Sequence, residues 1–230
     1  MKIHGLQKMT LLDFPGKVAC TVFLGGCDMR CPFCHNSELL DQSAPAVMED
    51  GELLAFLKKR TGLLDGVAVT GGEPLLRKDL PELLKAIRDL GYPVKLDTNG
   101  THPDRLRALI DGGLVQYVAM DIKNRPERYA ETAGLPAFDI APVRESAALL
   151  MEGRTAYEFR TTAVAELHDD ESFRGIGQWL RGAEKYYLQK FTDRDTVPFE
   201  GLHAPADETM ARWAGIAREY IPSAALRGVE

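Results

Sequence analysis

Short apolar runs rich in β-branched residues alternate with amphipathic stretches along the chain, and this alternation limits the possible folds more than any other feature. The runs predict six strands, at 18–24, 66–71, 93–98, 117–123, 157–162 and 186–191. The stretches between and after them predict helices near 50–60, 79–90, 103–111, 142–152, 171–182 and 206–219. Repeated strand–helix units build a parallel sheet with helices packed against it. We therefore expect an α/β fold in which residues 1–230 form one domain.

The residues that follow the predicted strands are unusually rich in glycine and charge. Five motifs lie at these strand ends: GGCDMRCPFC at 25–34, GGEP at 71–74, DTNG at 97–100, DIK at 121–123 and RTT at 160–162. Repeated parallel units could form a doubly wound sheet or a partial barrel, and in both architectures ligands gather where the strands end. One ligand pocket is therefore expected to contact all of these motifs.

The composition argues against several classes of partner and against a membrane location. The formal net charge is −6 and the 28 lysine and arginine residues are scattered, so we expect no basic surface for nucleic acid. No uninterrupted apolar run approaches the roughly 18 residues that cross a bilayer. The N-terminal segment lacks the basic start and long apolar centre of a secretory signal, so we expect a cytoplasmic protein.

Three of the four cysteines, Cys27, Cys31 and Cys34, lie close together in one predicted loop. They are too clustered for a useful disulfide framework, and in a reducing cytosol such cysteines are expected to bind metal. A four-iron cluster usually takes four cysteines, so three thiolates would leave one iron open to a small chelating molecule. Cys20 lies in an apolar alternating run and is expected to be a small core residue.

A structural zinc site is the alternative that the same residues leave open. Cys27, Cys31 and Cys34 with the neighbouring His35 would supply a Cys3His ligand set. His35 is adjacent to Cys34, however, so both side chains would have to bend onto one ion. A zinc-stabilised binding protein without catalysis would also leave GGEP, DTNG and DIK unexplained.

The spacing Cys-x3-Cys-x2-Cys, with the aromatic Phe33 before the last cysteine, resembles the cluster-binding loop of the radical S-adenosylmethionine (SAM) superfamily. The resemblance continues through GGEP, DTNG, the MDIK segment at 120–123 and Arg160 in FRTT, and it covers roughly residues 1–165. It implies a partial (β/α)6 barrel of the radical SAM type, with the cluster at its mouth and SAM across the strand ends.

The resemblance also implies which residues hold the cofactors. A [4Fe–4S] cluster and its reaction would depend on Cys27, Cys31 and Cys34. The residues expected around the cluster and SAM are Phe33, His35, Gly71, Gly72, Glu73, Asp97, Thr98, Asn99, Asp121, Lys123 and Arg160. A monovalent cation near SAM is a further implied ligand, at Asp97, Thr98, Met120 and Asp121.

Plainer structural roles stay open for some of these residues. Taken alone, Asp97 and Asp121 could merely cap the segments that follow them. Lys123 and Arg160 could instead be salt-bridged residues at the rim of the sheet. Residues 190–205 depart from the family pattern. We expect His203 in this segment to face solvent, although related radical SAM activating enzymes can place a histidine near the adenine of SAM.

Within the superfamily, residues 5–36 resemble the activating proteins of anaerobic ribonucleoside-triphosphate reductase, with pyruvate formate-lyase activating enzymes close behind. The DFPGK segment at 13–17 favours the reductase activators. The resemblance implies that a reduced cluster cleaves SAM to methionine and a 5′-deoxyadenosyl radical, which takes a hydrogen from a glycine of the partner. Cluster potentials span about −700 to +450 mV and sulfonium cleavage needs the low end, so a donor such as reduced flavodoxin is implied. A radical SAM enzyme acting on a small molecule, or an activator of another glycyl radical enzyme, stays an alternative.

Overall fold

The structure is a computed structural model that describes residues 1–228. In this part of the chain the strands are β1 Lys2–Ile3, β2 Gly5–Thr10, β3 Ala19–Leu24, β4 Met48–Glu49, β5 Gly66–Gly71, β6 Val94–Thr98, β7 Tyr117–Asp121, β8 Ala156–Ala163, β9 Tyr186–Lys190 and β10 Ala225–Arg227. The α-helices are α1 Asp50–Lys59, α2 Leu80–Asp89, α3 Pro103–Asp111, α4 Tyr129–Ala133, α5 Ala141–Met151, α6 Asp170–Trp179 and α7 Asp207–Arg218. The predicted strands are present as β3 and β5 to β9, and the predicted helices as α1 to α3 and α5 to α7.

The predicted strands lie side by side in the order in which they occur in the chain. They belong to one eight-stranded sheet with the order β10-β9-β8-β7-β6-β5-β3-β2. Every neighbouring pair is parallel except β2 with β3. A doubly wound sheet reverses its strand order at a switch point, whereas a barrel adds each strand beside the previous one. The strand order therefore favours the partial barrel.

Strands β1, β2, β4 and β10 and helix α4 were not predicted from the sequence pattern, and β1 and β4 pair antiparallel in a separate two-stranded sheet. Strand β2 pairs antiparallel with β3, and β10 pairs parallel with β9, so both extend the sheet at its edges. Most residues of these edge strands are only partly buried, so they lack the alternation that marks a half-buried strand. Helix α4 spans five residues, which is too short for a helical period to stand out.

The strands are apolar on the face that packs against the helices and polar on the opposite face. Because successive side chains of a strand point to opposite faces, Leu96 packs in the core while the next residue, Asp97, lines a cavity. In the same way, Phe159 packs in the core and the next residue, Arg160, lines the cavity. The inner face of the partial barrel is therefore suited to a charged ligand.

Phe14 covers the amino-terminal end of the barrel. It packs with Ala19 and Tyr117, which are the first residues of β3 and β7. The rings of Phe14 and Tyr117 have centroids 6.1 Å apart. Phe14 of the DFPGK segment thus lies at the opposite end of the strands from the cysteine loop, whereas Asp13 lines the cavity.

The helices have recognisable ends. Helix α6 begins after Asp169, whose side chain accepts a hydrogen bond from the Ser172 amide at 2.7 Å. Helix α4 ends at Gly134, which has a φ of 70°. No helix in residues 1–228 combines the length and the apolar character that crossing a membrane requires.

Candidate active site

A cavity of about 440 Å³ opens at the carboxyl ends of the strands. Its walls contain these predicted cofactor residues: Cys27, Cys31, Phe33, Cys34, His35, Gly71, Gly72, Asp97, Thr98, Asn99, Asp121, Lys123 and Arg160. Glu73 is the exception, because it is fully buried behind the wall. The volume lies in the range of small-molecule sites, about 300–1,000 Å³. The tertiary structure thus brings all five strand-end motifs to one place.

The cysteine loop follows β3 and is held by backbone hydrogen bonds to distant segments. The amide of Gly26 donates to the carbonyl of Leu39 at 2.8 Å. The amide of Arg30 donates to the carbonyl of Ala133, the last residue of α4, at 2.9 Å. These contacts fix both ends of the segment that carries Cys27 and leads into Cys31.

The three loop cysteines line the same wall of the cavity. Burial raises the pKa of Cys27 to about 12 and also raises the pKa of Cys31 and of Cys34. Such thiols stay neutral at neutral pH and are poor nucleophiles. A bound metal centre would supply the positive charge that stabilises thiolates here. The donor set fits a [4Fe–4S] cluster with one iron free of protein ligands.

Two backbones approach closely at the GGEP turn. A Cβ added to Gly72 would lie 2.2 Å from the carbonyl oxygen of Gly26. The amide of Glu73 donates to that same oxygen at 2.7 Å. Only glycine can occupy position 72 without pushing the two segments apart. This packing gives the motif a structural reason in addition to its expected contact with SAM.

The Glu73 carboxylate joins the ends of β5 and β6. It accepts hydrogen bonds from the Leu75 and Asn99 amides at 2.9 and 2.6 Å, and from the Thr98 hydroxyl at 2.9 Å. Burial raises the pKa of Glu73 to about 7, and these hydrogen bonds offset only part of that effect. Direct contact between Glu73 and SAM stays a prediction, since both carboxylate oxygens already bind the protein.

A network of charged side chains forms the opposite wall. The Arg160 guanidinium lies 2.9 Å from Asp121 Oδ1 and 3.3 Å from Asp97 Oδ2. Lys123 Nζ lies 3.1 Å from Asp121 Oδ2, and the buried Lys95 forms an ion pair with Asp97. Burial by itself would raise the pKa of Asp121, but Arg160 and Lys123 lower it to about 2. The two aspartates are therefore anionic at neutral pH.

The balance of this network bears on what it can bind. Within these ion pairs three cations, Lys95, Lys123 and Arg160, contact two carboxylates, and Asp13 adds a further carboxylate to the cavity wall. Lys123 and Arg160 are salt-bridged and also line the cavity, so their contact with the cofactors stays a prediction. The monovalent cation stays a prediction as well.

His35 contacts the two residues that lie just after β9. Its Nε2 lies 2.7 Å from the Thr192 carbonyl oxygen, and its ring stacks on Phe191 with centroids 5.5 Å apart. Among the described residues, no three His, Cys, Asp or Glu side chains are arranged to hold a single metal ion. His35 thus contacts residues 191–192 through both its ring nitrogen and its ring face.

Residues 191–197, which we call the strap, are attached to the cysteine loop at a second point. The Ser37 hydroxyl donates to the Thr196 carbonyl. Between the two attachments, Arg194 lines the mouth of the cavity. Part of the segment that departs from the family pattern thus belongs to the wall of the site.

His203 lies outside the cavity. Its ring nitrogen Nδ1 is 2.7 Å from Glu166 Oε1, and about three quarters of its side chain is exposed, at 74%. The expected solvent-facing position agrees with this placement.

Several lining residues were missed by the sequence analysis: Gln7, Asp13, Thr21, Thr162 and Gln189. Thr162 follows Arg160 by two positions on β8, so strand alternation alone could have identified it. Gln7 lies on the unpredicted edge strand β2, and Asp13 lies in the hairpin beyond it. No local pattern marked Gln7, and the DFPGK motif that contains Asp13 indicated only a family resemblance and not a place in the site.

Fold and site together define a class, that of barrel enzymes with a cysteine-ligated metal centre beside a charged cofactor. The model of the Radical SAM superfamily matches residues 21–154. A Methanocaldococcus jannaschii protein named as a glycyl-radical enzyme activating enzyme is 30% identical over 236 residues, covering 99% of this chain and 96% of that protein. The pyruvate formate-lyase-activating enzyme of Listeria monocytogenes is 25% identical over 241 residues, covering 91% of this chain and 93% of its own length.

A solved structure shows the same fold. Streptococcus suis SuiB, bound to S-adenosylmethionine, has a TM-score of 0.69 at 14% identity, covering 91% of this chain and 52% of that chain. The chain therefore belongs to the radical SAM superfamily, and within it to the glycyl-radical-enzyme activating enzymes. The superfamily uses a [4Fe–4S] cluster and SAM, so the expected fold, enzyme class and cofactors are confirmed.

Proposed function

We propose that this chain generates a glycyl radical on a partner enzyme, and that the partner is an anaerobic ribonucleoside-triphosphate reductase. The observation that carries the proposal is the shared cavity, which three cysteine thiols line together with the charged strand ends. A relative named as a glycyl-radical enzyme activating enzyme aligns along nearly the whole chain, which supports the same reaction class.

Different residues of the cavity would bind the cluster and SAM. Cys27, Cys31 and Cys34 would hold the cluster, and the guanidinium of Arg160, which lines the cavity, would bind the carboxylate of SAM. When bound, the cluster supplies the electron that splits SAM into methionine and a 5′-deoxyadenosyl radical, which abstracts hydrogen from the partner's glycine. The barrel wall and the strap keep water and other hydrogen donors away from this chemistry.

An external electron donor follows from the cysteine count. The chain has four cysteines, and Cys20 is completely buried in the apolar core. The remaining three suffice for one cluster, so no second cluster can relay electrons from within the chain. We propose a low-potential protein such as flavodoxin as the donor.

The choice of partner rests on the DFPGK segment at 13–17, which resembles the reductase activators. Pyruvate formate-lyase is the rival partner, because activating enzymes named for it are also relatives.

A single domain of residues 1–230 is supported by one hydrophobic core that includes residues from Ile3 to Ala224. We place the protein in the cytoplasm, where its thiols stay reduced.

The test is radical formation on purified partners. The chain is reconstituted anaerobically with iron and sulfide, then mixed with SAM, a low-potential reductant and either the reductase or pyruvate formate-lyase. We expect a glycyl radical signal in electron paramagnetic resonance on the reductase only, with 5′-deoxyadenosine released. Cys31→Ala is the control without cluster and should give neither product.

Each other outcome overturns a defined part of the proposal. A radical on pyruvate formate-lyase alone would replace the partner and keep the reaction. Release of 5′-deoxyadenosine with no radical on either protein would favour a small-molecule substrate. A full cluster without any SAM cleavage would contradict the proposed activity itself.

A further inference from the structure

Asp28 follows Cys27 directly, and its side chain is directed at the loop after β6. Its Oδ1 accepts a hydrogen bond from Nδ2 of Asn99 at 2.8 Å, and its Oδ2 accepts one from the Thr101 hydroxyl at 2.6 Å. The ring nitrogen Nε2 of His102 lies 3.1 Å from Oδ2. Since both oxygens act as acceptors, these neighbours hold Asp28 as a carboxylate in a fixed position.

Asn99 fixes that carboxylate relative to the cysteine. Its backbone amide donates to the buried Glu73 at 2.6 Å, and its Oδ1 accepts from the Thr101 amide at 3.0 Å. The side-chain Nδ2 is thereby directed at Asp28, and it also lies 4.0 Å from Cys27 Sγ. The charge of Asp28 is kept beside Cys27 and cannot turn freely into solvent.

We propose that Asp28 lowers the midpoint potential of the cluster held by Cys27, Cys31 and Cys34, an inference that rests on the proposed cluster site. A fixed negative charge opposes the arrival of an electron nearby. Net charge and hydrogen bonds around the sulfurs are among the features that set cluster potentials. The Asp28 side chain is only 28% exposed, so water and salt screen its charge less than that of a free surface carboxylate.

This placement makes the reduced cluster a stronger one-electron donor toward the SAM sulfonium. The electron still comes from an external reductant. Because Asp28 lowers the potential of the cluster, the potential of this reductant must also be lower than would suffice if Asp28 were uncharged. Asn99 acts here as a residue that positions Asp28, which differs from the SAM contact that the sequence suggested for it.

The test is a redox titration of the reconstituted chain, followed by the electron paramagnetic resonance signal of the reduced cluster. Asp28→Asn keeps the side-chain size and removes the charge, so we expect the midpoint potential to shift upward with iron and sulfide per chain unchanged. Asp41→Asn removes an exposed carboxylate from the same connection between β3 and β4, outside the cysteine loop, and should leave the potential at the wild-type value. An unchanged potential in Asp28→Asn with a full cluster would overturn the proposal.

Two further variants separate charge from loop distortion. Thr101→Val removes one hydrogen bond to Asp28 and no charge, so its potential should stay near the wild-type value. A shift in Thr101→Val equal to that in Asp28→Asn would contradict the electrostatic role. If Asp28→Asn binds less iron, His102→Lys and His102→Gln are compared: the first places a cation next to the intact carboxylate and the second places none, so the potential should be higher in His102→Lys, and equal potentials would refute the inference. Failure of the wild type to bind a cluster would instead contradict the proposed cluster site.

Discussion

Cys20 and Cys31 are almost equally buried, at 0% and 7% exposure, and burial raises the pKa of both thiols. Their surroundings differ. Cys20 lies on β3, paired with Val67 of β5, in the layer that packs against the helices. Cys31 lines the cavity with the other two loop cysteines. The direction of the side chain, and not its burial, therefore separates a packing cysteine from a metal ligand.

This difference predicts opposite effects of two alanine variants. Cys31→Ala should abolish cluster binding, because two thiolates cannot replace a three-cysteine site. Cys20→Ala should keep nearly full iron and cost about 1 kcal/mol of unfolding free energy, which is typical of a small buried truncation. Iron and sulfide per chain, measured after anaerobic reconstitution, check both. A loss of iron in Cys20→Ala, together with retention of iron in Cys31→Ala, would contradict the assignment of Cys31 as a cluster ligand.

At the scale of elements, β10 is held at the sheet edge mainly by polar contacts. Its residues are only half-buried. The Arg227 guanidinium donates to Glu158 Oε1 and Oε2 at 2.6 and 2.8 Å, and it lies 3.7 Å above the Tyr187 ring. Glu158 is fully buried and also accepts from the Tyr117 hydroxyl at 2.8 Å. The ion pair thus anchors a short strand to the inside of the barrel.

Arg227→Ala should destabilise the protein by roughly 3 kcal/mol at neutral pH, because it leaves a buried carboxylate without its cation. Burial by itself would raise the pKa of Glu158, but Arg227 lowers it below the ordinary value of 4.5. The stabilisation is therefore present above pH 4.5 and is lost as the pH falls through the lowered pKa. Urea denaturation of both proteins should show a smaller difference at pH 4 than at pH 7.

Arg144→Ala is the matched control for this prediction. Arg144 is exposed on α5, so its removal should change the unfolding free energy by less than about 0.5 kcal/mol. Equal effects of the two substitutions, or a difference that grows on acidification, would contradict the role given to the ion pair.

At the scale of the whole molecule, the cysteine loop depends on a turn that lies about a hundred residues later in the chain. A Cβ added to Gly134, after α4, would lie 1.9 Å from the Arg30 carbonyl oxygen, and Gly134 has a φ of 70°. The adjacent Ala133 accepts the hydrogen bond from the Arg30 amide. The loop can take its position only if this turn packs closely against it.

Gly134→Ala should therefore lower both the unfolding free energy and the iron bound per chain. The left-handed backbone costs about 1–2 kcal/mol for a residue with a Cβ, and the overlap with Arg30 adds to this cost. Gly153→Ala is the control, because Gly153 has a φ of 73° but no heavy atom within 4 Å of an added Cβ. Gly153→Ala should lower the unfolding free energy only by the cost of the left-handed backbone, and it should keep nearly the full amount of iron per chain. Equal iron loss in both variants would argue against the packing role.

The sequence by itself determined the alternation of strands and helices, the cysteine loop and the motifs at the strand ends. These features are local, since apolar period, glycine content and cysteine spacing can be seen in short segments. The predicted residues that line the cavity follow from them, because parallel strands bring their carboxyl ends to one edge, whereas lining residues such as Gln7 and Gln189 do not. The reductase as partner stays a proposal.

Only the tertiary structure decided which side chains meet across the site. The barrel order, the edge strand β2 and the burial of Glu73 depend on how distant segments pack. Asp28 binds Asn99 across 71 positions, and His35 binds Thr192 across 157. A hydrogen-bond partner so far away leaves no mark in the local pattern, because it is chosen by the packing of the whole barrel. The family motif therefore predicted where the cofactors bind, whereas folding determined which charged side chains and which part of the strap lie around that place.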